Sequence, residues 1–181
     1  MKKKFILSFV LALLLPMSLA SCFGKGHLPV SDSHIVDDRM EQLKTALNNR
    51  DKEQLKGMFS KQALSEAERF DENLEALFGL VDEEIVSWEK PTGPTTFENI
   101  NHGHKTKKIQ ALYKINTSDQ EYAVFILENA VDTDNPDNVG LYSLRVVRAE
   151  DEGKLMGYWD EMEIPGIYYP EEYRSTDKKP E

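Results

Sequence analysis

Apolar positions recur along the chain in two different periods, a helical one first and a period of two afterwards. Val36, Met40, Leu43 and Leu47 follow one another at helical spacing with Ala46 beside them, which predicts a helix from about Ile35 to Asn48 with Ser33 as its N-cap. Asp51 and Gln54 form a capping-box-like start for a second helix that buries Leu55, Met58 and Phe59, and Gly57 keeps it short. A third helix carries Ala63, Leu64, Ala67, Phe70, Leu74, Leu77 and Phe78 on one face. Ser60, or Ser65 with Glu68, opens it, and Gly79 is its expected stop. Glu66, Glu68, Asp71, Glu72 and Glu75 read as its solvated side.

The period then shortens. Ile85, Val86 and Trp88 predict a first strand ahead of Pro91, Gly93 and Pro94. From Lys107 to Asn116 the chain alternates, with Ile109, Ala111, Tyr113 and Ile115 on one face and Gln110, Lys114 and Asn116 on the other. Leu112 is an apolar exception on the polar side. Phe97 to Asn101 is expected to begin this second strand, with Gly103 bending it. Thr117-Ser118-Asp119 turns the chain into Tyr122–Val131, apolar on both faces and therefore expected at the centre of a sheet. Asp132–Asn138 is rich in turn formers, Gly140–Arg148 is a further strand, and Gly166–Pro170 reads as a docked aromatic tail.

Helices followed by a run of antiparallel strands is α+β order, with the helices on one face of a curved sheet. At this length the pattern resembles the NTF2-like cone, the ketosteroid isomerase and SnoaL architecture, in which helices and sheet enclose a pocket. A cystatin-like sheet around a single helix is the rival, and three helical stripes count against it. The phrases ALNNRDKEQLKGMFSKQALSEA from Ala46, EIVSWE from Glu84, DTDNPDNVGLYSLRVV from Asp132 and GIYYPE from Gly166 resemble a narrower family. That family comprises small bacterial lipoproteins classed as a domain of unknown function and considered NTF2-like. The resemblance implies a fold and no activity.

The leader agrees with a lipoprotein. Lys2, Lys3 and Lys4 precede an apolar run from Phe5 to Leu15, too short to span a bilayer comfortably. Leu19-Ala20-Ser21-Cys22 then resembles the bacterial lipobox, which implies diacylglyceryl transfer to the Cys22 sulfur and cleavage before it. Two or more acyl chains anchor stably. The alternative is an ordinary cleaved signal that leaves Cys22, the chain's only cysteine, as a free thiol. The expected organisation is a signal over 1–21, lipidated Cys22 and tether over 22–33, an NTF2-like domain over 34–173 and a polar tail over 174–181. Such a tether reaches on the order of 20 Å. The protein is expected on the extracytoplasmic face of a bacterial membrane, with the lipid bilayer as its partner through Cys22.

Charge narrows the rest. The net charge of −10 becomes −13 when the three leader lysines leave. That balance argues against nucleic acid, whose binders neutralise phosphates. Asp132–Asn138 places Pro136 and Asp137 where an EF-hand loop needs a ligand and then glycine, so it reads as a turn rather than a calcium site. His102-Gly103-His104 has only the isolated His27 and His34 to join it and sits among Lys105, Lys107 and Lys108, so no metal is expected there. Ser143 has no nucleophile-elbow context, and no cofactor motif or catalytic residue is recognisable. Should the cone hold a ligand, Trp88, Tyr113, Tyr142, Arg145 and Trp159 are the candidate lining residues, with Phe125 among them. A non-enzymatic ligand-binding or protein-interaction module is the favoured function. The alternative is an isomerase or hydrolase of the cone type with Glu128 as its base, which requires a raised carboxyl beside a tyrosine.

Overall fold

The stripe from Val36 to Leu47 forms α1, Asp32–Asn48, and buries Val36, Met40, Leu43, Ala46 and Leu47. The computed structural model describes residues 31–155, 163–168 and 170. The leader, Cys22, the tether up to Val30, Trp159 and the tail from Arg174 lie outside the described residues. Helix α1 starts earlier than its apolar period announces. Its N-cap is Ser31, whose hydroxyl accepts from the His34 amide at 3.2 Å. Ser33 instead donates to the Asp37 carboxylate one turn on, at 3.2 Å.

Asp51 caps α2, Lys52–Gly57, by accepting from the Gln54 amide at 2.9 Å. Ser60 caps α3, Lys61–Glu66, by accepting from the Ala63 amide at 3.0 Å. The expected single third helix is two helices. The chain leaves helical geometry at Ala67 (ψ 125°), takes a left-handed turn at Arg69 (φ 53°) and re-enters as α4, Phe70–Leu80. The break lets Ala67 approach the C-terminal strand, where a Cβ placed on Gly166 would lie 2.6 Å from the Ala67 Cβ. It also sets the Phe70 ring edge-on to Phe59 at 5.0 Å. Gly79 lies inside α4 and not at its stop, because the helix runs on to bury Leu80.

The strands are β1 (Ser87–Glu89), β2 (Thr95–Asn101), β3 (His104–Asn116), β4 (Glu121–Asp132), β5 (Gly140–Arg148) and β6 (Gly166–Tyr168). β1 pairs antiparallel with the C-terminal end of β3 and β2 with its N-terminal half. The order continues β3-β4-β5-β6, an open six-stranded sheet with β4 inside it and β6 parallel to β5. Phe97–Asn101 is therefore not the opening of β3 but its hairpin partner. His102 (φ 49°) and Gly103 (φ 88°) form the intervening two-residue turn, since two positive φ values match the right-handed twist of the strands. The aromatic tail expected at Gly166–Pro170 contributes a strand to the sheet. A short helix α5, Glu152–Leu155, follows β5.

The helices pack against one sheet face, where Ile109, Ala111, Tyr113, Ile115, Val124, Ile126, Leu144 and Val146 join their apolar stripes in one buried cluster. Phe125 and Leu127, with Leu112 and Tyr142 against them, form a smaller cluster of their own. Their register parity places Leu112, Phe125 and Leu127 on the opposite face. The architecture is mixed α+β.

Gly140 opens β5 at φ 133°, and a Cβ there would lie 3.0 Å from the Ser60 amide nitrogen and 3.2 Å from the Met58 carbonyl oxygen. Gly140→Ala is expected to destabilise the domain by about 1–3 kcal/mol, read as a lower urea midpoint at unchanged m-value.

Candidate functional site

Helix α1 presents a row of polar side chains along the margin of its apolar stripe, and each meets a group on the sheet. Asp32 accepts from Lys107 Nζ and from the Thr96 hydroxyl, both at 2.9 Å. Asp37 accepts from Lys90 Nζ at 2.6 Å and from the Tyr113 hydroxyl at 2.9 Å. Arg39 donates through Nε and Nη2 to both Glu128 oxygens, at 2.9 and 2.7 Å. Glu41 accepts from the Trp88 indole at 2.6 Å.

The buried Glu128 and the half-buried Asp37 differ in electrostatics. Burial pushes the Glu128 carboxyl up, and the hydrogen bonds and charge of Arg39 offset that only in part. Burial would also raise Asp37, but hydrogen bonds from Lys90, Tyr113 and Ser33 and the Lys90 charge outweigh it and hold that carboxyl below the usual range. Tyr113 is pushed well above the ordinary phenol value by burial and by the Asp37 acceptor. The raised acid and the buried tyrosine therefore belong to separate pairs. Glu128 is clamped by a guanidinium, and Tyr113 donates to a carboxylate that stays ionised.

The sequence-predicted residues divide between the two faces. Trp88 and Tyr113 meet edge-on at 5.3 Å on the helix side. Tyr142 packs with Phe125 and Leu127 on the other side and donates to Glu66 at 3.0 Å; burial and that acceptor push its hydroxyl up to about 12. Arg145 is buried under the Tyr168 ring, 4.7 Å from its centroid. Trp159 is outside the described residues. Four of the five thus fail to converge on one cavity.

A cleft lies elsewhere, at the β2–β3 hairpin and mostly on the face turned away from the helices. It is open to solvent and has a volume of about 550 Å³ between the β2–β3 hairpin and Glu163, with Phe97, Glu98, Asn99, Lys108 and Gln110 in its wall. Periodicity had put Gln110 on the polar side of its strand, but nothing in the sequence announced that a hairpin would fold over it. The Asp132 loop is a closed turn, its carboxylate accepting from the Asp134 and Asn135 amides at 3.1 and 2.9 Å and from Asn138 at 3.0 Å. Among the described residues no group of three or more His, Cys, Asp or Glu side chains is placed to hold a metal ion.

Residues 42–149 match a family model described as a domain of unknown function, DUF5104. The chain belongs to the DUF5104 family. No curated protein matches it. The DUF5104 match begins within α1 and ends just past β5, so Glu128, Phe97, Lys108 and Gln110 fall inside it while Asp37, Arg39 and Glu163 fall outside.

Truncating the clamp tests the electrostatics. Arg39→Met leaves Glu128 buried without its cation and is expected to cost about 3–5 kcal/mol near neutral pH. A raised carboxyl is most stabilising when protonated and loses that stability as pH rises through its folded value, so the deficit of Arg39→Met should shrink on acidification. Asp37 has the opposite sign. Its stabilisation is present above a pH of about 4 and is lost as pH falls through the depressed folded value. Asp37→Asn is therefore expected to cost on the order of 1 kcal/mol at neutral pH and almost nothing in strong acid, by urea denaturation across pH.

Proposed function

We propose that this DUF5104 protein is a lipid-anchored extracytoplasmic module with an NTF2-like domain, and that it binds rather than catalyses. The observation that carries the second half is the pairing of its acids. A cone-type isomerase or hydrolase needs a carboxyl with a raised pKa able to take a proton beside a tyrosine that steadies the oxyanion. Glu128 has the raised value and favours that alternative by itself. Its two oxygens, however, are both occupied by Arg39, and Tyr113 is spent on Asp37. Neither group is left to meet a substrate.

The anchor rests on Leu19-Ala20-Ser21-Cys22 behind a basic, apolar leader. Acyl chains at Cys22 would hold the domain at the extracytoplasmic face of the membrane, and the acidic surface suits a domain beside anionic lipid that it does not bind electrostatically. The NTF2-like assignment is supported by the order of helices and strands.

Metabolic labelling with a radioactive fatty acid in a bacterial host tests the anchor. The wild-type chain is expected to take up label and partition into detergent, and Cys22→Ala to do neither. Equal partitioning of the two into the aqueous phase would remove the anchor.

A further inference from the structure

The sheet face turned away from the helices carries buried polar side chains whose acceptors are enclosed and unpaired among the described residues. Register sets Gln110, Leu127 and Ser143 side by side on β3, β4 and β5, with Lys108 and Asn129 on the neighbouring rung. Gln110 is 9% exposed, Asn129 3% and Ser143 0%. Gln110 Oε1, Asn129 Oδ1 and Ser143 Oγ have no hydrogen-bond partner among the described residues. Each such buried atom costs about 1–3 kcal/mol unless a donor reaches it.

Gln110 also forms part of the wall of the 550 Å³ cleft, a volume in the range of small-molecule sites. Across from it, Phe97 is 54% exposed, an aromatic ring left in water beside polar groups. Lys108 and Glu163 pair across the wall at 3.1 Å, but both side chains are substantially exposed, so the pair contributes little to stability and exchanges readily for a ligand. The wall thus combines one aromatic platform, one cation, the two carboxylates of Glu98 and Glu163, and neutral polar side chains with Gln110 among them.

We propose that this cleft binds a neutral saccharide. A sugar ring presents an apolar C–H face to Phe97 and a fringe of hydroxyls, each both donor and acceptor. Those hydroxyls donate to the Glu163 carboxylate and accept from Lys108 Nζ and from the side-chain amides of Asn99 and Gln110. The opposed charges of Lys108 and Glu163, on a chain of net charge −10, disfavour an anionic ligand. An extended peptide would read the open backbone edge of β2 rather than the Phe97 ring and the polar wall beside it. The inference names the ligand of the binding module proposed above and rests on that reading.

The test is calorimetric titration of the full chain, purified in detergent, with maltotriose, cellotriose and chitotriose, and with tetra-alanine as the peptide probe. At least one trisaccharide is expected to bind with a millimolar or tighter dissociation constant. Phe97→Ala and Gln110→Leu should each weaken it by about tenfold or more. Ile100→Ala, an exposed apolar position on the opposite face of the same strand, should leave it unchanged. Phe97 is exposed, so Phe97→Ala keeps its fold even where Gln110→Leu does not. Absence of binding by all three sugars, equal binding by Phe97→Ala, or tighter binding of tetra-alanine overturns the proposal. Acyl labelling at Cys22 is read separately, so a failed sugar titration with an acylated chain removes the ligand and leaves the anchored module standing.

Discussion

Strand β4 has to be buried on both faces, and the rest of the domain is arranged to do it. Tyr122, Val124 and Ile126 alternate with Ala123, Phe125 and Leu127, and all six are buried. Two-sided burial forbids an edge position, because an edge exposes one row of backbone groups and leaves nothing to hold both faces in register. β3 and β5 accordingly flank it with the two longest ladders of the sheet. One face is covered by the apolar stripes of the helices. The other is smaller and mixed, with Phe125 and Leu127 set among Gln110, Ser143 and Arg145. A face that is buried yet polar is where a ligand site costs a fold the least to keep.

Helix α1 turns this constraint into a specific arrangement. Its apolar residues supply the burial, but a stripe alone permits sliding along the sheet. Asp32, Asp37, Arg39 and Glu41 meet partners on β1, β2, β3 and β4 and in the segment after β1, which ties the helix to one register. The Arg39–Glu128 contact is the most demanding of these, since an unpaired carboxylate at that depth is far more costly than the pair. Glu128 also sits beside the β4–β5 register shift, where Tyr142 is the extra residue between Leu141 and Ser143. The bulge lets Leu141 join the helix-side core while Tyr142 packs with Phe125 and Leu127.

How much of this was legible in the sequence follows the range of each interaction. The caps at Asp51 and Ser60 were readable because acceptor and donor lie within one turn of each other. The central place of Tyr122–Val131 was readable because it needs only composition on two faces. The break at Arg69 was not, since the helical period of the apolar residues runs straight through it and only contact with β6 explains it. The β2–β3 hairpin was hidden because His102 is a poor announcer of positive φ beside the more usual Asn-Gly. Arg39 and Glu128 are separated by 89 residues, and no periodicity links such a pair. Among the candidate ligand residues, aromatic identity was visible but the face was not. Trp88 and Tyr113 went to the helix side, while Tyr142 packs with Phe125 and Leu127.

That division of faces bears on what the domain does. Chemistry at a pocket needs an acid, a base and a substrate on the same side of the sheet, with at least one titratable group uncommitted. Here the perturbed acid and the buried tyrosine with a matching carboxylate lie on the helix side, consumed in holding α1 in place. The open cleft lies mostly on the other side, and the two carboxylates in its wall, Glu98 and Glu163, are each paired with lysine. The pairs that hold α1 and most of the groups that wall the cleft thus lie on opposite faces of one sheet. A domain built in that way can exchange the occupant of its cleft without disturbing the charges that fix its fold, which suits a binding module better than an enzyme.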